Sequence, residues 1–145
     1  MILLDTCVIS EVLRPNPSDV VLDWLDGLPE LNVYLPALVV GELQEGVELL
    51  PKGSKRTALR VWLEQMAERF SGRILAFDEE TAKTWGSLTV RMERSGIKLP
   101  AVDSMLAALA LHHSALLATR NITDYRDTGV EVINPWAEED SLRGT

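Results

Sequence analysis

The chain has 145 residues, of which 46% are hydrophobic, and its formal net charge is −8 at pH 7. This composition excludes a disordered chain, and no apolar stretch reaches the ~18 residues that a membrane-spanning helix requires. The single cysteine excludes an internal disulfide and a cysteine-based zinc site. Because no basic segment precedes the apolar start and Asp5 interrupts it, we expect no signal peptide and a reducing, cytoplasmic setting.

The predicted elements alternate between short strands and helices, and no linker interrupts them. In chain order, we predict a strand at 2–4, a helix capped by Ser18, a strand at 33–35, a helix at 38–50 and a helix capped by Ser54. These are followed by a strand at 74–77, a helix from Asp78 to about Ser95, a helix at 103–113, and strands at 116–118 and 130–133. The alternation predicts a single domain at 1–145 with a parallel sheet covered on both faces, and a flexible tail at about 137–145.

Four carboxylates stand where an apolar segment gives way to polar residues: Asp5, Glu42, Asp103 and Asp124. Sites in parallel sheets gather beyond the carboxyl ends of the strands, where Asp5 and Asp124 are expected. Glu42 and Asp103 belong to helices that can face the same crevice. Acids this close to a core repel one another unless a cation compensates them. Oxygen ligands favour Mg²⁺ or Mn²⁺, which is the chemistry of metal-assisted phosphodiester cleavage.

Each acid also has an ordinary structural interpretation when it is considered alone. Asp103 at a helix start is typical of a helix cap. Glu42 is typical of a solvent-exposed helix residue, and Asp124 is typical of a turn residue. Asp5 is the hardest to explain in this way, because it directly follows a buried strand. The joint pattern therefore favours a metal site.

The net charge of −8 is unusual for a protein that acts on nucleic acid. Phosphate backbones normally recruit a basic face. Part of the acidity can belong to the metal site itself and part can serve a basic protein partner, and the net charge alone establishes neither.

A set of short motifs extends over essentially the whole chain in a fixed order. They are Met1-Ile2-Leu3-Leu4-Asp5-Thr6, Val8-Ile9-Ser10-Glu11, Gly41-Glu42-Leu43 with Gly46, Phe77-Asp78, Asp103 with Ala107-Ala108, Thr119-Arg120-Asn121 with Asp124-Tyr125, and Asn134-Pro135-Trp136. In these motifs the chain resembles PIN-domain toxins of the VapC type, and among them the FitB-like branch. The resemblance implies a three-layer α/β/α sandwich with a parallel central sheet. It also implies a Mg²⁺- or Mn²⁺-dependent endoribonuclease that is the toxin of a bacterial toxin–antitoxin pair.

The resemblance carries the acidic residues of the family onto the four carboxylates. The expected metal ligands, bound directly or through waters to one ion or two, are Asp5, Asp103 and Asp124. Glu42 is expected to orient or deprotonate the attacking water. Thr119 matches the polar residue of the family at the end of the fourth strand, and Thr6 is a further supporting residue. Arg120 is expected either to neutralise phosphate charge or to pair with Asp124.

The resemblance also implies partners. A cognate antitoxin with a basic tail would occupy the acidic groove, and promoter DNA would be bound only through that antitoxin. Homodimers that join into larger assemblies with antitoxin are expected, with RNA as the substrate and no membrane contact.

Position 7 departs from the family pattern, because Cys7 stands where Asn is usual. A thiol is a weaker hydrogen-bond donor than an amide. A second hypothesis is therefore a weakly active or inactive module that acts mainly as an antitoxin-binding co-repressor. A third is a receiver-like phospho-accepting domain, which would place paired acids on the first strand and a lysine after the last. Here Asp5 stands alone and Asn134-Pro135 follow Ile133.

Overall fold

The computed structural model describes residues 1–137, 139 and 140. The strands are β1 (Ile2–Leu4), β2 (Val33–Pro36), β3 (Ile74–Leu75), β4 (Leu116–Ala118) and β5 (Glu131–Ile133). The helices are α1 (Thr6–Glu11), α2 (Asp19–Asp26), α3 (Ala37–Glu48), α4 (Ser54–Arg69), α5 (Glu79–Arg94) and α6 (Ala101–His113). Two short 3₁₀ turns lie at Glu30–Asn32 and Ile122–Tyr125.

The five strands form one parallel sheet in the order β3-β2-β1-β4-β5. The N-terminal strand β1 is central, and its Leu3 stands opposite Tyr34 of β2 and Leu117 of β4. Strands covered on both faces read as continuous apolar runs rather than as alternating patterns. This is the reason why the short segment Ile2–Leu4 was recognisable, and the predicted parallel sheet is confirmed.

Helices cover both faces of the sheet, so the molecule has three layers. Leu4 points into a first core, which it shares with apolar residues of α1 to α4. Leu3 points the other way into a second core, which is built mainly from α5 and α6. Successive residues of a strand face opposite sides of a sheet, which is why one dipeptide serves both cores. The predicted α/β/α sandwich is confirmed.

Two of the three predicted helix caps are formed. The Ser18 hydroxyl accepts from the Val21 N–H at 3.4 Å, and the Asp78 carboxylate accepts from the Thr81 N–H at 2.9 Å. The prediction for Ser54 was wrong by one position. Ser54 is the first residue of α4, and Gly53 holds the cap position without a side-chain hydrogen bond.

Some boundaries differ from the predicted ones. Helix α6 begins at Ala101 rather than Asp103, which places the acid inside the first turn instead of at the cap. Strand β3 has two residues where four were predicted, because it is an edge strand that pairs only with β2. Helix α1 was not predicted, since six residues are too few to show a helical period.

The segment that follows β5 returns to the body of the domain. Trp136 is 2% exposed and lies in the first core, and Asp140 forms an ion pair with Arg120. The predicted flexible tail at about 137–145 includes residues 138 and 141–145, which lie outside the described residues. Within the described part of the chain, no helix has the length and apolar character needed to cross a bilayer.

Candidate metal centre

The candidate site lies at the carboxyl edge of the sheet, where the two central strands end. Asp5 directly follows β1, and its N–H donates to the Ala118 carbonyl of β4 at 3.0 Å. Thr119 directly follows β4, and its N–H donates to the Ile133 carbonyl of β5 at 3.0 Å. These bonds continue the hydrogen bonding of the sheet beyond the strands. The backbone of Asp5 and Thr119 is therefore held in place at the edge of the sheet.

The Asp5 carboxylate is only 7% exposed, so protein donors replace most of its water. Its Oδ1 accepts from the Thr6 N–H at 2.7 Å, which caps α1. Its Oδ2 accepts from the Thr119 hydroxyl, also at 2.7 Å. Hydrogen bonds to a carboxylate are among the stronger ones in proteins, and together they fix the orientation of this acid.

The Glu42 carboxylate is tied to the same corner through Thr6. The Thr6 hydroxyl donates to Glu42 Oε1 at 2.7 Å and so joins the start of α1 to α3. Thr6 therefore serves two acids, since its N–H binds Asp5 and its hydroxyl binds Glu42. The predicted supporting role of Thr6 thus has a specific geometry in the structure.

The Asp103 carboxylate is half-buried in the first turn of α6, and the Tyr125 hydroxyl donates to its Oδ1 at 3.4 Å. The pKa of Asp103 is raised above its usual value, chiefly because burial disfavours the ionised form. The negative charges of Asp5, Asp124 and Glu42 raise it further, in that order. The negative charges of the other three predicted acids therefore all act on Asp103.

The four acids approach one another without forming a tight cage. Among the residues that the structure describes, no three His, Cys, Asp or Glu side chains converge closely enough to hold one ion as they stand. Three of the acids instead accept hydroxyl hydrogens, from Thr119, Thr6 and Tyr125 respectively. Asp124 lies on an exposed 3₁₀ turn at the rim.

This donor set fits Mg²⁺ or Mn²⁺ on chemical grounds. Every candidate ligand atom is a carboxylate oxygen, which hard divalent cations prefer over nitrogen or sulfur. Mg²⁺ usually keeps several of its waters and takes one or two protein carboxylates directly, so a loose arrangement of acids suffices. The mutual repulsion expressed in the raised pKa of Asp103 is what a cation would relieve.

Cys7 lies at the inner edge of this site, next to Asp5 on α1. Its Sγ is 3.8 Å from Asp5 Oδ2 and 3.7 Å from the Thr119 hydroxyl oxygen. Burial raises the pKa of the Cys7 thiol, and the negative charge of Asp5 raises it further. At neutral pH Cys7 is therefore a neutral thiol that gives Asp5 one weak donor.

Arg120 does not pair with Asp124, which was one of its two expected roles. Its guanidinium binds Asp140 through two nitrogens and lies 5.1 Å from the centroid of the Trp136 ring. Neighbouring residues of an extended segment point to opposite sides, so Arg120 faces the C-terminal segment while Thr119 faces the acids. Hydrogen bonding to Asp140 raises the pKa of Arg120.

Tyr125 is the residue of the site that sequence reasoning missed. In the sequence it belongs to a motif with Asp124, whereas in the structure its hydroxyl reaches Asp103. The sequence signal that could have identified it is the position of a tyrosine directly after the candidate ligand Asp124. Residues 103 and 125 are far apart in the sequence, so their contact could not be read from it.

A protein-family model described as PIN domain matches residues 2–129. The chain belongs to the PIN-domain family. Toxin FitB of Neisseria gonorrhoeae is 44% identical to this PIN domain over 137 residues, which cover 94% of this chain and 99% of FitB. VapC ribonuclease Y4jK of Sinorhizobium fredii is 35% identical over 137 residues, with 94% of this chain and 98% of that protein covered.

Solved structures agree with this PIN domain over nearly its whole length. The crystal structure of FitAcB from Neisseria gonorrhoeae has a TM-score of 0.90 at 44% identity, covering 94% of this chain and 99% of that chain. A structure of FitAB bound to an IR36 DNA fragment has a TM-score of 0.89 at 43% identity, covering 94% and 96%. The predicted resemblance to FitB-like, VapC-type PIN proteins is confirmed.

Added Mg²⁺ is expected to raise the melting temperature of this PIN domain, and to raise it more at neutral than at acidic pH. The folded-state pKa of Asp103 lies above its unfolded value, so the ionised acid destabilises the fold above that pKa. This destabilisation declines as the pH falls below the raised pKa and is gone below the unfolded value. A cation at about 100 times its Kd adds about 2.7 kcal/mol, or roughly 8 °C for a domain of this size.

The measurement is a thermal melt with Mg²⁺ and with EDTA, at about pH 7.5 and about pH 5. Protonation removes both the repulsion and the ligands, so the Mg²⁺-induced shift should shrink at the lower pH. Equal shifts at both pH values would contradict binding at these acids.

Proposed function

We propose that this chain is the toxin of a toxin–antitoxin module and that it cleaves RNA as an endoribonuclease. The observation that carries the proposal is the meeting of four carboxylates at the carboxyl edge of a PIN-domain sheet. Two relatives each match 94% of the chain. FitB is a toxin, and Y4jK is a VapC ribonuclease. The reaction is hydrolysis, in which water oxygen bonds to phosphorus as a ribose oxygen leaves.

The proposed metal is Mg²⁺, with Mn²⁺ as an alternative, held by Asp5, Asp103 and Asp124 directly or through waters. When bound, such an ion supplies positive charge that activates water and stabilises charge on the phosphate oxygens. The protein contributes the orientation of the acids. Thr119 fixes Asp5 from the end of β4, so this ligand does not need to reorganise when the ion binds.

Glu42 is proposed to orient and deprotonate the attacking water. Its Oε1 is occupied by the Thr6 hydroxyl, and within the described residues no protein donor reaches Oε2. Oε2 is therefore the atom that accepts the proton of the water. Because the Thr6 N–H also donates to Asp5 Oδ1, the base and the ligand are held in a fixed relation.

Arg120 is proposed to act on the fold rather than on phosphate. Its charge is already neutralised by Asp140, and its side chain lies against Trp136 on the side away from the acids. An arginine that stabilised transition-state charge would need a free guanidinium aimed at the phosphate.

The proposed partner is a cognate antitoxin with a basic tail. Two solved relatives are named as FitAB or FitAcB complexes, and one of them is bound to DNA. We propose that this chain likewise joins a hetero-oligomer, that it forms homodimers, and that promoter DNA is contacted through the antitoxin. The net charge of −8 suits a basic partner, and the proposed setting is the cytoplasm.

Cleavage of total cellular RNA by the purified, antitoxin-free protein tests the proposal. The reaction is run with Mg²⁺, with Mn²⁺ and with EDTA. Cutting that requires the metal is the expected result. A folded protein that cuts RNA under none of these conditions would overturn the proposal and favour the second candidate function.

The second candidate is a weakly active module that mainly binds antitoxin as a co-repressor. The observation in its favour is Cys7, which gives Asp5 only a weak sulfur donor at 3.8 Å where the family usually has Asn. A FitAB assembly bound to DNA is the relative that matches this role.

Replacing Cys7 with asparagine is expected to increase RNA cleavage roughly 10-fold, because an amide orients the neighbouring carboxylate better than a thiol does. Initial cleavage rates of wild type, Cys7→Asn and Cys7→Ser provide the measurement, with serine as the control for removal of sulfur. A variant that gains cleavage from an undetectable baseline would favour the co-repressor function. An unchanged rate would show that Cys7 does not limit activity.

A further inference from the structure

Tyr125 lies directly beneath the acidic site. It is the last residue of the 3₁₀ turn Ile122–Tyr125 and is only 2% exposed. Its ring belongs to the second core, together with Leu3 and Leu117 of the two central strands. The packing therefore fixes the ring, and with it the position of the phenolic oxygen.

The hydroxyl of Tyr125 is not required by this packing. A phenylalanine would fill the same apolar space, whereas a buried hydroxyl without a partner would destabilise the fold. The partner that the structure provides is Asp103 Oδ1, at 3.4 Å. The one polar atom of this side chain thus points at one of the four acids.

Across residues 1–137, 139 and 140, no second side chain donates a hydrogen bond to Asp103. The cap position of α6 is Pro100, and no side-chain hydrogen bond caps the helix. Within the described residues, no protein donor reaches the second oxygen of Asp103, Oδ2. The Tyr125 bond therefore leaves that oxygen available while it holds the first one.

We propose that Tyr125 is a positioning residue whose hydroxyl holds Asp103 in the orientation that binds the divalent cation. The proposal rests on the metal-dependent function proposed above. It also explains why Asp5, Glu42 and Asp103 share one arrangement, in which a hydroxyl of the protein donates to one carboxylate oxygen. Thr119 does this for Asp5, and Thr6 does it for Glu42.

The test is Tyr125→Phe, which removes one oxygen and keeps the ring. Tyr34→Phe is the matched control, because Tyr34 is the other tyrosine of the chain and packs against the same core. Direct binding of Mn²⁺, measured by calorimetry or by electron paramagnetic resonance, is the first readout. Loss of an orienting partner typically weakens metal affinity roughly 10- to 100-fold, and we expect this range for Tyr125→Phe alone.

The second readout separates positioning from packing. In Tyr125→Phe we expect kcat at subsaturating Mn²⁺ to fall with the metal affinity, while KM for RNA and the melting temperature without metal stay near wild type. In an Asp103→Asn background, adding Tyr125→Phe should cause no further loss of Mn²⁺ affinity, because the two residues act through one interaction.

The outcomes distinguish this proposal from the proposed function. Wild-type affinity for Mn²⁺ in Tyr125→Phe, from a wild type that binds Mn²⁺ and cleaves RNA, would overturn the role of Tyr125 and leave the nuclease standing. A wild type that binds no Mn²⁺ would overturn the metal site itself. An equal loss of affinity in Tyr34→Phe would show that the effect arises from general loosening of the core.

Discussion

Replacement of Asp5 with asparagine is expected to lower the rate of RNA cleavage roughly 100- to 1,000-fold, which is the usual effect of losing one preorganised charged group of an active site. Asp5 is the most buried of the four acids, and donors on both sides fix its carboxylate. Asparagine has nearly the same shape but lacks the negative charge that binds a cation. The loss therefore falls on metal binding and on catalysis.

The same substitution is expected to leave the fold intact. The asparagine Oδ1 can still accept the Thr6 N–H that caps α1, and the Thr119 hydroxyl can rotate to accept from the new amide. One of the charges that raise the pKa of Asp103 disappears, which reduces repulsion in the metal-free protein.

The measurement is cleavage of total RNA together with a thermal melt of each protein. Asp23→Asn is the matched control, since it removes one carboxylate from an exposed position on α2. We expect the control to match wild type in both assays. Undiminished cleavage by a folded Asp5→Asn protein would overturn the proposed site.

Replacement of Trp136 with alanine is expected to produce the largest loss of stability, about 3–5 kcal/mol, or a melting temperature lower by roughly 10 °C or more. The side chain is 2% exposed and fills the first core. The Arg120 guanidinium lies over its ring, whereas the backbone N–H of Trp136, which alanine would retain, donates to Asn134 Oδ1 at 2.9 Å. Alanine would leave a cavity and remove the surface on which Arg120 rests.

Denaturant unfolding of three variants tests this expectation. Trp136→Phe keeps an aromatic ring for Arg120 and should lose clearly less stability than the alanine variant. Leu31→Ala truncates a side chain that is 79% exposed and should stay within about 0.5 kcal/mol of wild type. A Trp136→Ala protein as stable as Leu31→Ala would show that the C-terminal segment does not support the core.

The fold was predictable from the sequence where local chemistry decides the structure. The apolar run ending at Asp5 identifies a strand that is buried on both faces, and Ser18 and Asp78 form the caps that their side chains predict. The cap predicted at Ser54 lies one position earlier, at Gly53, because glycine also tolerates the cap position. Helix α1 was hidden because its six residues are too few to show a helical period.

The candidate site was predictable as a set of acids but not as a network. Asp5 directly follows β1 and Asp124 follows β4 after a short loop, so these two acids could be located without knowledge of any contact. The pairing of Arg120 with Asp140 and the bond from Tyr125 to Asp103 depend on how distant segments pack. Nothing local in the sequence encodes such long-range contacts, and the nearer Asp124 was the natural candidate partner for Arg120.

The central place of β1 in the sheet has a consequence during synthesis of the chain. The strand is made first, yet its neighbour β4 is made late, and the bond from Thr119 to Asp5 spans 114 residues. At about 5–20 residues per second, the ribosome needs roughly 6–23 s to make that stretch. Until β4 is made the site lacks Thr119 and Asp124, so a nascent toxin has no complete site with which to cleave RNA. During this time an antitoxin that is already present can bind the nascent chain before the toxin cleaves its first RNA.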